Sequence, residues 1–202
     1  MSPRDALGAV VLAGGLARRM GGVDKGLVRL GERTMVEHVL AAVRPCVDAL
    51  VVNANRNGGD YAALAAAHDA SVVADRRSGH PGPLAGLAAA LHALDTERVF
   101  MCPCDSPFVL PALVARLDEA CAEPDVDIAV AHDGERLQPV FCVVERGLLD
   151  SLERFLDADR RKIDAWFAEE RVREVDCRDL AASFRNINTE EERLAAEREL
   201  TA

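Results

Sequence analysis

Gly8-Ala9-Val10-Val11-Leu12-Ala13 is an unbroken apolar run that stops on Gly14-Gly15. A short apolar run with glycine punctuation reads as a strand buried on both faces, the habit of parallel sheets. The same reading fits Ala49-Leu50-Val51-Val52, which closes on Asn53-Ala54-Asn55. It also fits Ser71-Val72-Val73-Ala74, ending at Asp75, and Arg98-Val99-Phe100-Met101-Cys102, ending at Asp105. Helical stretches fall between these runs. One starts at Thr34, where Thr34 and Glu37 have capping-box spacing, and stops near Pro45. Others cover Ala62–Ala67 and, after the Pro81-Gly82-Pro83 turn, Leu84–Leu94. Strand alternating with helix predicts an α/β fold: a three-layer, doubly wound, mostly parallel (Rossmann-like) sheet. Ligands of such sheets bind in the loops past the carboxyl ends of the strands, here 14–26, 53–57, 75–83 and 103–107.

The second half reads differently. Val126–Ala131 and Val140–Val144 flank His132-Asp133-Gly134-Glu135-Arg136, and Asp-Gly between apolar runs is a hairpin signal. An antiparallel hairpin is therefore expected in the C-terminal half. Helices are expected at Leu148–Leu156 and Arg161–Phe167, a short strand near Val172–Val175, and a charged helix from about Glu190. No repeat, low-complexity tract or linker interrupts the chain.

The 202 residues suit one domain and need no metal or disulfide staple. Basic residues number 24 and acidic residues 34, so the net charge is −10. That balance argues against nucleic acid or a membrane surface as partner, since both call for a basic face. No apolar run approaches the roughly 20 residues of a membrane span, and Met1-Ser2-Pro3-Arg4-Asp5 opens no signal-peptide pattern. Six cysteines without need of bridges suggest reduced thiols and a cytoplasmic setting. Lysine occurs only at Lys25 and Lys162 in an arginine-rich chain, which draws attention to Lys25. Lysine is a compact point charge and arginine a wide planar fork.

Chemistry concentrates in Leu12-Ala13-Gly14-Gly15-Leu16-Ala17-Arg18-Arg19-Met20-Gly21-Gly22-Val23-Asp24-Lys25-Gly26. A strand enters, glycines let backbone N–H groups face a ligand, and cations follow. That is the make-up of a phosphate cradle. It is neither a Walker A loop nor Gly-x-Gly-x-x-Gly. Asp105, just past a buried strand on the ligand side, is the candidate carboxylate for Mg²⁺; a turn or helix-cap aspartate is the bland alternative. Cys102 and Cys104 lack the spacing of a zinc site and read as packed thiols. Asn53 and Asp75 end adjacent strands. A carboxylate there can accept guanine N1–H and N2–H₂ or a ribose hydroxyl pair, and an amide can read a carbonyl edge or the ribose. His38, His68, His80 and His92 form no cluster, and Arg160-Arg161-Lys162 reads as a solvated helix face.

At these residues the chain resembles the molybdenum cofactor guanylyltransferases, within the wider nucleotidyltransferases built on Leu-Ala-Gly-Gly and Arg-Met-Gly. The resemblance runs in order through Asp24-Lys25-Gly26-Leu27, Asn53-Ala54-Asn55-Arg56, Pro81-Gly82-Pro83-Leu84-Ala85-Gly86 and Cys102-Pro103-Cys104-Asp105. It continues through His132–Arg136 and Asn186-Ile187-Asn188-Thr189, spanning residue 8 to about 194. Leu16 departs from the serine or lysine expected there. The resemblance implies transfer of GMP from GTP to molybdopterin with release of pyrophosphate. It implies Arg19, Lys25 and Asp105 as catalytic residues, with Asp105 holding Mg²⁺. The nucleotide contacts it implies are Leu12, Ala13, Gly14, Gly15, Gly22, Lys25, Asn53, Asp75, Gly82, Gly86 and Asp105. Arg136, Gln138, Asn186 and Asn188 become walls of the pterin pocket, with an Asx turn capping the last helix as the alternative for the asparagines.

The implied organisation is a single nucleotidyltransferase domain over 1–202, nucleotide-binding over about 8–105 and pterin-binding over about 106–194. The resemblance leaves room for other molybdenum cofactor biosynthesis proteins and acceptor-enzyme chaperones as partners. Rival readings are the same chemistry with CTP, a sugar-phosphate or phospholactate nucleotidyltransferase, and a non-catalytic nucleotide or pterin carrier. Lys25 and Asp105 argue against the carrier, which has no pyrophosphate to neutralise.

Overall fold

The computed structural model describes residues 6–13, 24–77 and 82–200. Strand β1, Leu7–Leu12, leaves Ala9, Val10 and Val11 no exposure at all. That follows from its two neighbours and two covered faces. It pairs in parallel with β4 (Ala49–Asn53) on one side and β6 (Arg98–Pro103) on the other. Side chains alternate across a strand, so Ala9 and Val11 enter one core while Val10 enters a second.

The first core receives Val36, Val39 and Leu40 of α1 (Met35–Val43) and Tyr61 and Ala65 of α2 (Gly58–Ala66). It also receives Leu113, Val114 and Leu117 of α4 (Pro111–Cys121). The second core takes Leu84, Leu87 and Leu91 of α3 (Pro83–Ala93), Leu152 and Phe155 of α5 (Leu149–Asp157), and Trp166 and Phe167 of α6 (Ile163–Phe167). Helices on both faces of one sheet make the fold doubly wound.

The sheet has seven strands in the order β5-β4-β1-β6-β8-β7-β9. Here β5 is Ser71–Val73, β7 Ile128–His132, β8 Leu137–Glu145 and β9 Val172–Asp176. Only β8 runs against its neighbours, pairing antiparallel with β6 and with β7 across a register shift at Val130/Ala131. The expected hairpin is therefore present, with Gly134 at φ 100° in its connection. The chain steps from β1 outward to β4 and β5, then returns to β6 on the other side of β1. That reversal puts a crevice at the carboxyl ends of β1 and β6, where doubly wound sheets bind ligands.

The capping box predicted for α1 is made: Glu37 N–H donates to Thr34 Oγ1 (3.4 Å) and Thr34 N–H to Glu37 Oε2 (2.7 Å). Some elements differ from the sequence reading. A two-stranded hairpin, β2 (Arg29–Leu30) and β3 (Arg33–Thr34), was not expected. Nor was α4, whose first residue is a proline and whose N-cap, Leu110, offers no capping side chain. Arg160-Arg161-Lys162 lies in the exposed turn before α6 rather than on a helix face. The last helix, α7 (Glu190–Leu200), folds back onto β2–β3, where Leu30, Met35, Ile187 and Ala196 form a small separate core. No helix among the described residues is long and apolar enough to cross a membrane.

Candidate active site

Lys25 opens a short turn of 3₁₀ helix, Lys25–Leu27. Its ammonium donates to Asp105 Oδ2 at 3.1 Å and to Asn188 Oδ1 at 2.5 Å. These groups lie 80 and 163 residues away in sequence. Lys25 and Asp105 side chains keep 22% and 15% of their surface exposed, so the pair faces the crevice without being sealed in the core. Asp105 lies in the turn just past β6. It caps no helix, and its carbonyl accepts from the Ile187 N–H at 2.8 Å. That bond and the burial of Ile187 fix the segment carrying Asn186 and Asn188. Asn186 Oδ1 accepts from Ser106 Oγ at 2.5 Å. The cap of α7 falls to Thr189, whose hydroxyl accepts from Glu192 N–H at 3.1 Å. Both asparagine side chains are thereby left to the crevice residues instead of to the helix start.

A second group of polar side chains gathers where β4 and β5 end. Asn53 is 4% exposed, and its amide donates to Asp75 Oδ1 at 2.9 Å. Asn55 donates to Asp75 Oδ2 at 2.7 Å and accepts from the Asp75 N–H at 2.8 Å. The Asp75 carboxyl is thus oriented by two amides. Gly86 of α3 lies against this group. A Cβ there would stand 2.5 Å from Asn53 Oδ1 and 2.6 Å from Leu12 Cδ2, so only glycine admits the approach. At Gly82, the N-cap of α3, a Cβ would meet no atom of the described residues within 4 Å. Ala13 donates its N–H to the Asn53 carbonyl at 2.8 Å, so that amide is engaged in the sheet and not turned to a ligand.

In the β7–β8 connection, Asp133 Oδ1 accepts from the N–H groups of Arg136 and Glu135, each at 2.8 Å, while Oδ2 accepts from Gln138 at 2.6 Å. The backbone bonds from Arg136 and Glu135, with Gln138 adding to them, hold the Asp133 carboxyl down to about 2. Arg136 is exposed at the hairpin tip. Cys102 of β6 and Cys104, just past its end, are both buried in the first core, as expected for packed thiols. Burial pushes both thiols far above their ordinary range, and the Asp105 and Asp24 carboxyls add to this at Cys104. A thiol so placed stays protonated at neutral pH and packs as a small apolar group.

The structure therefore brings Lys25, Asp105 and Asn188 into direct contact, and Leu12, Asn53, Asp75 and Gly86 into a second cluster. Gly14, Gly15, Arg19 and Gly22 lie outside the described residues. Asn55 and Ser106 were not singled out from sequence. Asn55 carried a signal in its two-residue spacing from Asn53; Ser106 carried none, because its partner is 80 residues away. Among the described residues no three His, Cys, Asp or Glu side chains cluster as a metal cage.

The Lys25–Asp105 pair and the Asn53–Asp75 cluster both lie past the carboxyl ends of strands, where doubly wound sheets bind ligands. Residues 9–175 match the MobA-like NTP transferase domain, and the chain belongs to that family of nucleotidyltransferase enzymes. It is 44% identical over 191 residues to the molybdenum cofactor guanylyltransferase of Shewanella sp. (strain MR-4), covering 94% of this chain and 95% of that one. It is 45% identical over 183 residues to the molybdenum cofactor guanylyltransferase of Photobacterium profundum, covering 91% of each. Among solved structures, molybdopterin-guanine dinucleotide biosynthesis protein A from Archaeoglobus fulgidus superposes with a TM-score of 0.77 at 25% identity, over 96% of this chain and 98% of that one. Nucleotidyltransferases of this family generally use a divalent metal. The donors here fit a hard cation: one carboxylate at Asp105 and the amide oxygen of Asn188, both on Lys25. A single carboxylate completed by phosphate oxygens and water is what Mg²⁺ prefers.

Proposed function

We propose that this enzyme transfers GMP from GTP to the terminal phosphate of molybdopterin, releasing pyrophosphate and forming the molybdopterin guanine dinucleotide cofactor. The observation that carries this reading is the Lys25 ammonium held between Asp105 and Asn188 at the crevice between β1 and β6. A pterin phosphate oxygen attacks the α-phosphorus of GTP. The bond from that phosphorus to the α–β bridging oxygen breaks, and its electron pair leaves on pyrophosphate. The nucleophile is already anionic at neutral pH, so no strong general base is required. Charge neutralisation and in-line positioning are required instead.

Lys25 supplies a compact cation to the triphosphate and then to the departing pyrophosphate, and Arg19 assists it. Gly14, Gly15 and Gly22 let the loop backbone approach the phosphates; Leu12 and Ala13 contribute the strand end from which it springs. When bound, Mg²⁺ adds positive charge across the phosphate oxygens, and Asp105 is the side chain that would hold it. Asn53 and Asp75 read the guanine or its ribose. A carboxyl whose direction is fixed by two amides is a suitable acceptor for adjacent N–H donors. Gly82 and Gly86 bring the start of α3 close to that edge. Arg136, Gln138, Asn186 and Asn188 face the pterin. The nucleotide-binding half is then about 8–105 and the pterin-binding half about 106–194, with Asn188 joining the two at Lys25.

The test is a thermal-shift panel of GTP, CTP, ATP and UTP with Mg²⁺, followed by molybdopterin-dependent pyrophosphate release from the nucleotide that binds best. GTP is expected to stabilise most, because buried polar groups left unpaired by a wrong base discriminate by several kcal/mol. Equal shifts for GTP and CTP would refute guanine specificity. Absence of pyrophosphate release would refute the transfer.

A further inference from the structure

Asp24, the residue before Lys25, is 8% exposed and turns its carboxyl toward the start of α2. Two donors from one end of α2 hold it there. Tyr61 Oη donates to Oδ1 at 2.5 Å, and Asn57 Nδ2 donates to Oδ2 at 3.0 Å. Burial pushes the Tyr61 hydroxyl far above its ordinary range, and Asp24 adds to this, so the hydroxyl stays protonated and donates. Tyr61 is the chain's one tyrosine and is fully buried. Asn57 adopts a left-handed backbone, φ 51°, which costs a non-glycine residue free energy. It is kept where the side chain reaches Asp24.

The same ring closes on the far side of Lys25. A Cβ on Gly26 would run into the Tyr61 hydroxyl and stand 3.2 Å from Cys104 Sγ. Between these two fixed points the backbone turns tightly. Leu27 N–H donates to the Asp24 carbonyl and Val28 N–H to the Lys25 carbonyl, each at 3.1 Å. Lys25 thus leaves a turn gripped at the residue before it and wedged at the residue after it. Its ammonium is delivered to Asp105 and Asn188.

We infer that Tyr61 and Asn57 are positioning residues, which clamp Asp24 and so set the turn that aims Lys25 at Asp105 and Asn188. Their bearing on turnover rests on the function proposed above; the clamp itself does not.

The rarity of lysine makes the clamp observable without activity. Full-length protein labelled with ¹³C at lysine Cε gives signals from Lys25 and Lys162 alone. Tyr61→Phe keeps the packing and removes only the hydroxyl. It is expected to move the Lys25 signal and leave Lys162 in place. It should lower kcat for pyrophosphate release by about 10- to 100-fold with KM for GTP within about threefold, the pattern of a displaced reacting group. Asn57→Gly removes the second donor at an exposed position and accepts the left-handed backbone. It should move the same signal in the same way, and it carries the test should Tyr61→Phe not fold. A Lys25 signal unmoved in both variants overturns the clamp. A moved signal with wild-type kcat overturns its bearing on turnover. If the unaltered protein releases no pyrophosphate, the proposed function fails, and the lysine spectrum alone decides the clamp.

Discussion

Replacing Gly86 by alanine asks whether the Asn53 amide is a working part of the nucleotide site or a packing neighbour. The new Cβ would lie 2.5 Å from Asn53 Oδ1, 2.9 Å from Asn53 Cγ and 2.6 Å from Leu12 Cδ2. Heavy atoms settle at about 3.5–4.0 Å, so the Asn53 side chain must retreat by about 1 Å. It cannot do so and keep its 2.9 Å bond to Asp75 Oδ1. Overpacking costs about 1–3 kcal/mol, offset by up to about 1 kcal/mol of helix propensity gained over glycine. The variant should therefore fold, with stability lowered by about 0–3 kcal/mol. Binding should suffer more, because a displacement near 1 Å in a positioning group is worth about 10²-fold. At a GTP concentration 100 times the wild-type Kd, ligand linkage contributes about 2.7 kcal/mol. A 100-fold weaker variant retains about 0.4 kcal/mol. In a chain of this size 1 kcal/mol corresponds to about 2–4 °C, so the GTP-induced rise in Tm should fall from about 5–11 °C to about 1 °C. Thermal melts of both proteins at one GTP concentration measure this. A full GTP-induced rise in Gly86→Ala, on top of a lowered baseline Tm, would refute the reasoning and leave Asn53 as packing.

Asp105→Asn keeps size and removes the carboxylate charge. Pyrophosphate release should drop by orders of magnitude, while loss of its partly exposed pairing with Lys25 costs at most about 1 kcal/mol in a denaturation curve. Wild-type turnover would make the carboxylate structural. Lys25→Arg keeps charge, but a guanidinium fork cannot occupy the point between Asp105 Oδ2 and Asn188 Oδ1 without displacing one of them. Steady-state kcat should fall by about 10²-fold, with Lys162→Arg silent as control; near-wild-type kcat would reduce Lys25 to a source of charge. The Asp133 carboxyl should titrate near 2 by NMR. Its folded value lies below the unfolded one, so its contribution to the hairpin is complete above about pH 4 and is lost as pH falls through about 2. A midpoint near 4 would mean that the Arg136 and Glu135 amides do not hold it.

Local pattern determined much of this protein. Apolar runs bounded by glycine or a polar residue marked β1, β4 and β6, because a strand covered on both faces has no polar side to show. The Thr34/Glu37 spacing marked the start of α1, since capping is a contact three residues long. The rule that loops past carboxyl ends carry ligands singled out Lys25 and Asp105 before any contact was known. α4 was also legible in principle: Leu113, Val114, Leu117 and Cys121 repeat at helical spacing behind a proline, although its N-cap gives no signal. The two-residue strands β2 and β3 are too short for any period to register.

Tertiary structure alone decided how these pieces meet. Side-chain alternation says that a strand is buried but not beside which neighbour, so the insertion of β8 between β6 and β7 had no local signature. The same holds for the contacts that make the site. Lys25 reaches Asn188 across 163 residues because α7 folds back onto the β2–β3 hairpin and buries Ile187 there. Tyr61 reads as an aromatic in an alanine-rich helix, and only the packing of α2 against the turn at Asp24–Gly26 sets its hydroxyl on Asp24. Periodicity encodes the environment of a residue, whereas a hydrogen bond needs the identity and direction of one particular partner, and that is fixed only when the layers close.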